Sequence, residues 1–484
     1  MTTIKLDPGA ALLLDALHGA GHAAYAVGGC VRDSLLGLDP HDWDLCTSAR
    51  PEQVMALFGE EKCIPTGLQH GTVTVKQGGR LYETTTFRTE GAYSDGRHPD
   101  AVCFVPDVRE DLARRDFTIN AMAYSAEEGF IDPFGGRDDL AAHLVRAVGE
   151  PERRFEEDAL RILRLYRFAA RFGFAIDPAT GAAARALGPH LDYVSAERIQ
   201  EELLKLLAAP RPGSYLEPAV LAVVLPELEP EKQPERFAEL CRTIDRIEPT
   251  AENVPARLAA LLCPLGEAGA RKALRKLKCS NALTDEVTAL EREAGGGAGS
   301  FLLGHEFELR HPADALCLER HSHPAGRCPN SNSLFPPQAA VVAVAGHSIA
   351  RPIACGNRVP PQRTVLGETP GTPNTTLTVQ AKRLLGRYEL PTIQRLTALC
   401  SARHPEQAEA FAALRAEAER LTAENACCRV SQLAVNGRDL MAAGVRPGPG
   451  LRQVLNALLE AVITGQTPNE KDALLAAAAQ FSAS

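Results

Sequence analysis

Two aspartates one residue apart, Asp42 and Asp44, flank Trp43 in a segment that reads as a β-strand. Alternation along a strand puts both carboxylates on one face, with Cα atoms roughly 7 Å apart. Like charges held together call for a cation. Hard oxygen ligands suit Mg2+, which also takes phosphate oxygens into its shell. Two such ions about 3.5–4 Å apart would activate a hydroxyl and stabilise a leaving pyrophosphate. Taken alone, the triplet more often marks a solvated surface. A neighbouring run, Gly28-Gly29-Cys30-Val31-Arg32-Asp33, adds weight to the chemical reading. Two glycines between a strand and a helix let backbone N–H groups approach a phosphate, and Arg32 adds a charge-assisted contact. A tight turn and nothing more is the alternative, and the spacing is not that of a dinucleotide-binding fingerprint. Glu83, between Tyr82 and Thr84, is a candidate third metal-binding carboxylate or else a surface glutamate. In Arg114-Arg115-Asp116-Phe117-Thr118-Ile119-Asn120, Asp116 can accept a ribose hydroxyl proton and the arginines can meet triphosphate oxygens. The same run also fits a helix start capped by Asp116 beside a surface basic pair.

Placing these groups requires an α/β arrangement over the first 140 residues. A helix pattern through Leu12, Leu13 and Leu17 leads into an apolar strand, Ala23–Val27, just before the two glycines. Further strands are expected at Asp42–Cys46, Thr72–Lys76, Leu81–Phe87 and Ala101–Val105. Gln77-Gly78-Gly79-Arg80 joins two of them as a hairpin, which predicts a mixed rather than parallel sheet. From Asp138 the spacing becomes helical, with apolar and basic faces along Arg161–Phe168 and an amphipathic helix at Glu197–Ala208. After the glycine-rich break Gly295–Ser300, residues 301–375 hold 10 of the 34 prolines and 5 of the 13 histidines, with no lysine. That stretch reads as an insertion, a disordered linker or an out-of-frame segment. Helical spacing resumes near Ala381 and, after Pro447-Gly448-Pro449-Gly450, includes Leu451, Leu455, Leu458 and Val462.

Four motifs occur in order: Gly28-Gly29-x-Val31-Arg32-Asp33, Asp42-x-Asp44, Arg114-Arg115-Asp116-Phe117-x-x-Asn120-Ala121 and Glu157-Asp158-x-x-Arg161. Together they resemble the class II tRNA nucleotidyltransferases, the CCA-adding enzymes, and their sister bacterial poly(A) polymerases. The resemblance covers residues 20–210 well and 211–290 loosely, and resumes over about 425–475 with Val435-Asn436-Gly437-Arg438-Asp439-Leu440. It implies an α+β chain: a polymerase-β-like head with a mixed sheet, then an all-helical neck, body and tail. The expected divisions are 1–137 for the catalytic head, 138–209 for the neck and 210–300 for the body. The anomalous segment follows at 301–375, and a tRNA-binding tail at 376–484. By position, Asp42 and Asp44 would hold Mg2+, Gly28, Gly29 and Arg32 the triphosphate, and Asp116 with Asn120 the ribose. Asp132-Pro133-Phe134-Gly135-Gly136 resembles a head-to-neck hinge, and Ser195-x-Glu197-Arg198-Ile199 a neck helix in which Glu197 and Arg198 brace the structure.

Asp158 and Arg161, three apart, are expected on one face of a helix. Asp158 only accepts hydrogen bonds and Arg161 only donates. Cytosine and adenine both offer an amino donor beside a ring-nitrogen acceptor, whereas uracil and guanine present the reverse. The pair can therefore select C or A without a template, unless it is a surface salt bridge. Arg164, one turn on, extends the same face. Arg88–Pro99 resembles the loop that accompanies full CCA addition, or is an ordinary solvent loop. The expected partners are thus tRNA, CTP and ATP. An A-only, CC-only or poly(A) activity is the alternative, and an RNA-binding protein with an inactive head is the non-enzymatic one.

Composition bounds the rest. No apolar run is long enough to span a membrane, and the N-terminal residues do not read as a secretory signal. Thirteen scattered cysteines therefore read as mostly reduced thiols in a cytoplasmic protein. The net charge of −9 argues against a generally basic RNA binder and against a poly(A) polymerase, leaving a local stripe such as Arg153, Arg154, Arg164, Arg167 and Arg171 for tRNA phosphates. Cys317, His321, His323 and Cys328 fit no standard zinc spacing. Oligomeric state is not legible.

Overall fold

A computed structural model describes residues 3–90, 102–295 and 376–481. Most of the expected loop at Arg88–Pro99, the segment 301–375 and the cysteines and histidines within it lie outside these residues. The chain divides into two compact units, the first running through 306 and including 380–426, the second comprising 307–379 and 427–484.

The first unit opens with α1 (Pro8–Gly19), capped by the Asp7 carboxylate, which accepts from the Gly9 and Ala10 N–H groups. There follow β1 (Ala24–Val27), α2 (Gly29–Leu35), β2 (Leu45–Thr47), α3 (Pro51–Phe58), β3 (Cys63–Gly67), β4 (Thr72–Gln77) and β5 (Arg80–Thr86). Then come β6 (Arg88–Glu90), β7 (Val102–Phe104), α4 (Val108–Ala113), β8 (Ala123–Ser125), β9 (Gly129–Ile131) and α5 (Gly136–Ala141). Seven strands form one sheet in the order β3-β4-β5-β2-β1-β8-β9. β2 runs parallel to β5 while β4 and β5 form the antiparallel hairpin, so the sheet is mixed, as the hairpin signal predicts. Tyr25, Val27, Cys46, Phe87, Leu112 and Val148 fill the core against it.

Two strand expectations are corrected. β2 begins at Leu45, not Asp42, although the extended segment before it keeps the alternation: Trp43 is buried while Asp42 and Asp44 face outward. The strand expected at Ala101–Val105 does not join the main sheet. β7 pairs with β6 as a separate two-stranded ribbon.

The segment expected as an all-helical neck comprises β10 (Leu144–Val145), α6 (Pro151–Glu157), α7 (Leu160–Phe172), β11 (Ala175–Ile176), α8 (Pro178–Ala186) and α9 (Ala196–Leu207), so the short parallel pair β10 and β11 departs from that expectation. α7 packs on α9, and its Leu163, Leu165 and Ala169 are buried. The turn before α5 is built by Asp132, whose carboxylate accepts from the Gly136 and Arg137 N–H groups at 2.7 and 2.9 Å. A Cβ at Gly136 would lie 2.2 Å from the Thr118 carbonyl, so only glycine permits this approach.

Body helices are α10 (Pro218–Val224), α11 (Pro234–Arg246), α12 (Val254–Leu262), α13 (Gly266–Lys276) and α14 (Asn281–Ala294). They continue with α15 (Thr376–Arg387), which belongs to this unit from Gln380, α16 (Leu390–Arg403) and α17 (Ala408–Ala423). Arg257 is fully buried and donates to the carbonyls of Leu207 and Ala209 at 2.7 and 2.5 Å and to that of Ile247, tying the neck's last helix to the body. α16 packs on α12, α14 and α17. The unit boundary therefore falls at 426/427 and not at the expected tail start of 376. The second unit closes with α18 (Gly437–Ala442), α19 (Pro449–Ile463) and α20 (Lys471–Phe481) around Val435, Leu440, Leu458, Val462 and Leu474. No described helix is long and apolar enough to cross a membrane.

Candidate active site

The Val27 N–H donates to the Asp44 carbonyl at 3.0 Å, which sets the acidic segment alongside the glycine turn opening α2. Gly28 has φ +76, and a Cβ there would lie 2.9 Å from Arg115 Nη1. The position thus favours glycine twice over, and Arg115 stands directly over the turn.

Leu45 is paired with Thr84, so Asp44 lies next to Glu83 on the adjacent strand. The Asp42 side chain is 88% exposed. Asp44 is also accessible, yet crowded by protein around its open side. That crowding pushes its carboxyl up to about 6, with further upward pressure from Glu83 and Asp42 and opposition from Arg115. Among the described residues no three His, Cys, Asp or Glu side chains converge into a metal cage. What the structure brings together is an open set of hard oxygen donors in mutual repulsion, and a divalent cation relieves that repulsion.

The two neighbouring arginines diverge. Asp111, fully buried, accepts from Arg114 Nε and Nη2 at 3.0 and 2.8 Å and from Arg115 Nη2 at 3.3 Å. Arg114 is thereby folded back onto α4, and its carbonyl accepts from Arg161. Arg115 gives only Nη2 to Asp111, while its Nη1 is the group that lies over Gly28.

Asp116 and Asn120 do not lie ready for a ribose. Asp116 Oδ1 accepts from the Phe117 N–H and Asn120 Nδ2, and Oδ2 from Arg164 Nε and Nη2 at 2.9 and 2.6 Å. A carboxylate has about four acceptor positions, and all are taken. Burial alone would raise its pKa, but the Arg164 charge and the bonds from Asn120 and Arg164 outweigh burial and hold it at about 2. Asn120 Oδ1 accepts from Arg32 Nη1. Arg32 is itself buried, bonded to Asp33 at 2.8 Å and set over the rings of Phe168 and Phe172 at 5.2 and 4.9 Å. These groups join head to neck, where composition suggested direct nucleotide contacts.

Asp158 and Arg161 do not share a helix face. Asp158 lies in the break between α6 and α7 (φ −148, ψ 103), where Oδ1 accepts from the Leu160 N–H at 3.0 Å and Oδ2 from Arg198 at 2.8 Å. Arg161, in the first turn of α7, donates to Glu157 at 2.8 Å and to the carbonyls of Arg154 and Arg114 at 3.1 Å. Asp158 keeps unused lone pairs and Arg161 an unused Nε–H, so each retains capacity for a base edge. Arg198, expected only to brace the neck, also orients Asp158. Sequence reading placed Asp33 in the glycine motif without a role and missed Asp111 and Glu202, the last of which ion-pairs with Arg167 at 2.6 Å. Asp111 was within reach, because it stands three and four residues before the two arginines.

Residues 24–146 match the family model for the Poly A polymerase head domain and 173–231 the model described as "Probable RNA and SrmB- binding site of polymerase A". Residues 387–478 match the model for tRNA nucleotidyltransferase domain 2. The CCA-adding enzyme of Leuconostoc citreum is 45% identical over 257 residues, an alignment spanning 53% of this chain and 63% of that enzyme. That of Lactiplantibacillus plantarum is 32% identical over 466 residues, 96% of this chain and 93% of the relative. That of Levilactobacillus brevis is 33% identical over 96% of both chains. The crystal structure of the Bacillus stearothermophilus CCA-adding enzyme in complex with CTP superimposes with a TM-score of 0.69 at 29% identity, covering 98% of each chain. With polymerase-β-like geometry in the head and relatives above 30% identity aligned almost end to end, the chain belongs to the family of CCA-adding enzymes.

Proposed function

We propose that this chain adds the terminal CCA to the 3′ end of tRNA, taking CTP and ATP in turn without a nucleic-acid template and releasing pyrophosphate. The observation that carries the reading is the pair of outward carboxylates Asp42 and Asp44 beside Glu83, hydrogen-bonded next to the Gly28-Gly29 turn with Arg115 over it.

In each cycle the RNA 3′-oxygen bonds to the α-phosphorus, the bond from that phosphorus to the bridging oxygen breaks with its electron pair leaving on pyrophosphate, and the hydroxyl proton passes to solvent. The turn and Arg115 receive the triphosphate at backbone N–H groups and a guanidinium. Asp42 and Asp44, with Glu83 as a third carboxylate, would hold Mg2+. When bound, the ion supplies charge neutralisation on the triphosphate and favours ionisation of the attacking hydroxyl. Asp158 accepts from the exocyclic amino group of cytosine or adenine, and Arg161 donates to the adjacent ring nitrogen. Uracil and guanine leave both groups facing like polarity, the kind of mismatch that discriminates strongly in a desolvated site. Arg164, fixed by Asp116, flanks the nucleotide on the next turn. The described cysteines are all free thiols, in keeping with a reducing cytoplasmic setting.

The test is extension of tRNA lacking its CCA, with Mg2+ and each NTP singly and mixed. Two C's followed by one A, lost in Asp42→Ala by at least about 10³-fold, supports the assignment. Arrest after CC, addition of A alone, or long A tails would instead place the chain with partial enzymes or poly(A) polymerases. Unchanged activity in Asp42→Ala would refute the role given to that carboxylate.

A further inference from the structure

We propose that Asp33 and Arg171 are positioning residues that lock the phosphate-binding turn of the head to the base-reading helix of the neck, so that both ends of the incoming nucleotide are held at a fixed spacing. The inference rests on the nucleotidyl-transfer reading above and extends it to residues that would touch neither base nor phosphate.

The lock is a chain of contacts across α2 and α7. Arg32 follows the glycine turn by three residues, and its guanidinium is placed by two rings of α7, by Asp33 and by Asn120 Oδ1. Phe168 and Phe172, one turn apart on α7, offer ring faces at 5.2 and 4.9 Å. Asp33 accepts from Arg32 Nε at 2.8 Å through Oδ1, and from Arg171 Nη2 at 3.1 Å through Oδ2. Arg171 is itself held over Phe172 at 5.0 Å. A single carboxylate thus bridges an arginine of the phosphate side and one from the last turn of α7.

The opposite end of α7 carries the base side. Arg161 and Arg164 project from its first two turns, and Arg164 is fixed through Asp116 to Asn120, which also accepts from Arg32. The helix is therefore pinned to the head at both ends, by Asp116–Arg164 and by Asp33–Arg171, with Arg32 shared between the pins. Loosening the second pin leaves the base pocket and the turn individually intact but frees their separation. A nucleotide held at base and triphosphate together reads that separation directly. A wrong base, otherwise rejected because its edge cannot meet Asp158 and Arg161 while the triphosphate is seated, gains room to shift.

Arg171→Met and Asp33→Asn, in the full chain, test this by steady-state kinetics with CTP, ATP and UTP, binding of a fluorescent CTP analogue, and thermal melting. The side chain of Arg171 is 45% exposed, so a partial effect is expected: about a three- to tenfold rise in KM for CTP and ATP, with a comparable fall in the CTP-over-UTP ratio of kcat/KM. Asp33→Glu, which keeps the bridge charge, recovers part of both. A merely structural role predicts a lower melting temperature with unchanged KM and unchanged base discrimination in the folded fraction, and that result overturns the proposal. If the wild type adds no nucleotide yet binds the CTP analogue, the activity reading fails, while the affinity loss in Arg171→Met still tests the lock.

Discussion

Arg114 and Arg115 are adjacent in sequence but have different partners. Arg114 gives both its Nε and Nη2 to buried Asp111 and contributes its carbonyl to Arg161. Arg115 makes one longer contact to Asp111 and stands over Gly28 beside Asp44. Truncating each should therefore act on a different quantity. Arg115→Met is expected to lower kcat/KM for both CTP and ATP by about 10²-fold, the usual loss when a charge-assisted contact to a reacting triphosphate is removed, with little change in melting temperature. Arg114→Met leaves the Asp111 carboxylate short of a partner inside the head and should lower stability by about 1–3 kcal/mol instead. Equal kinetic losses in the two variants would contradict this division. The sequence shows an Arg-Arg pair beside Asp116 and makes a nucleotide contact a reasonable expectation. Only tertiary placement tells which arginine faces the glycine turn, because the choice depends on where Asp111 and Gly28 sit.

At the scale of elements, the neck was legible as helix but not as two helices. Glu157-Asp158-Ala159-Leu160 interrupts no apolar period, so spacing alone runs one helix through the site and places Asp158 and Arg161 on one face. The break comes from Asp158 acting as a cap: its carboxylate takes the Leu160 N–H more readily than its backbone continues α6. The body shows how a helix face can include a carboxyl that burial keeps partly protonated near neutral pH. Glu291 on α14 is 4% exposed, and its Oε1 has no hydrogen-bond partner among the described residues. Burial pushes its carboxyl from the ordinary 4.5 up to about 7, against the opposing charge of Arg403 from α16. A carboxyl whose pKa is higher folded than unfolded favours the fold most at acid pH. Its contribution is complete below about 4.5 and is lost as pH rises through about 7. Glu291→Gln keeps the shape and removes the charge. It should raise stability at pH 8 by about 1–3 kcal/mol and change it little at pH 5, read as denaturation midpoints at the two pH values. A variant destabilised equally at both pH values would show that the ionised carboxylate makes a needed contact.

At the scale of the whole molecule, the passage from a mixed-sheet head to a mostly helical remainder was readable from the shift between strand and helix periods, whereas the last boundary was not. Residues 380–426 and 427–481 carry similar Leu- and Ala-rich helical spacing, and nothing in such a pattern states which core a helix face enters. Packing divides them: Ile393, Leu396 and Leu399 lie in the first unit, while Leu440, Leu458 and Leu474 enclose a separate small core. A core of that size makes its helices depend on each large side chain. Leu458 is fully buried at its centre. Leu458→Ala is expected to cost about 2–5 kcal/mol, enough to unfold a marginal unit on its own. If the two units unfold separately, calorimetry should show one transition moved to lower temperature and the other unmoved, with affinity for CTP kept because every group assigned to the nucleotide lies in the first unit. A single transition shifting as a whole would mean that the units fold cooperatively. In that case the division by packing would carry no division of stability, and the variant should lose CTP binding along with the rest of the fold.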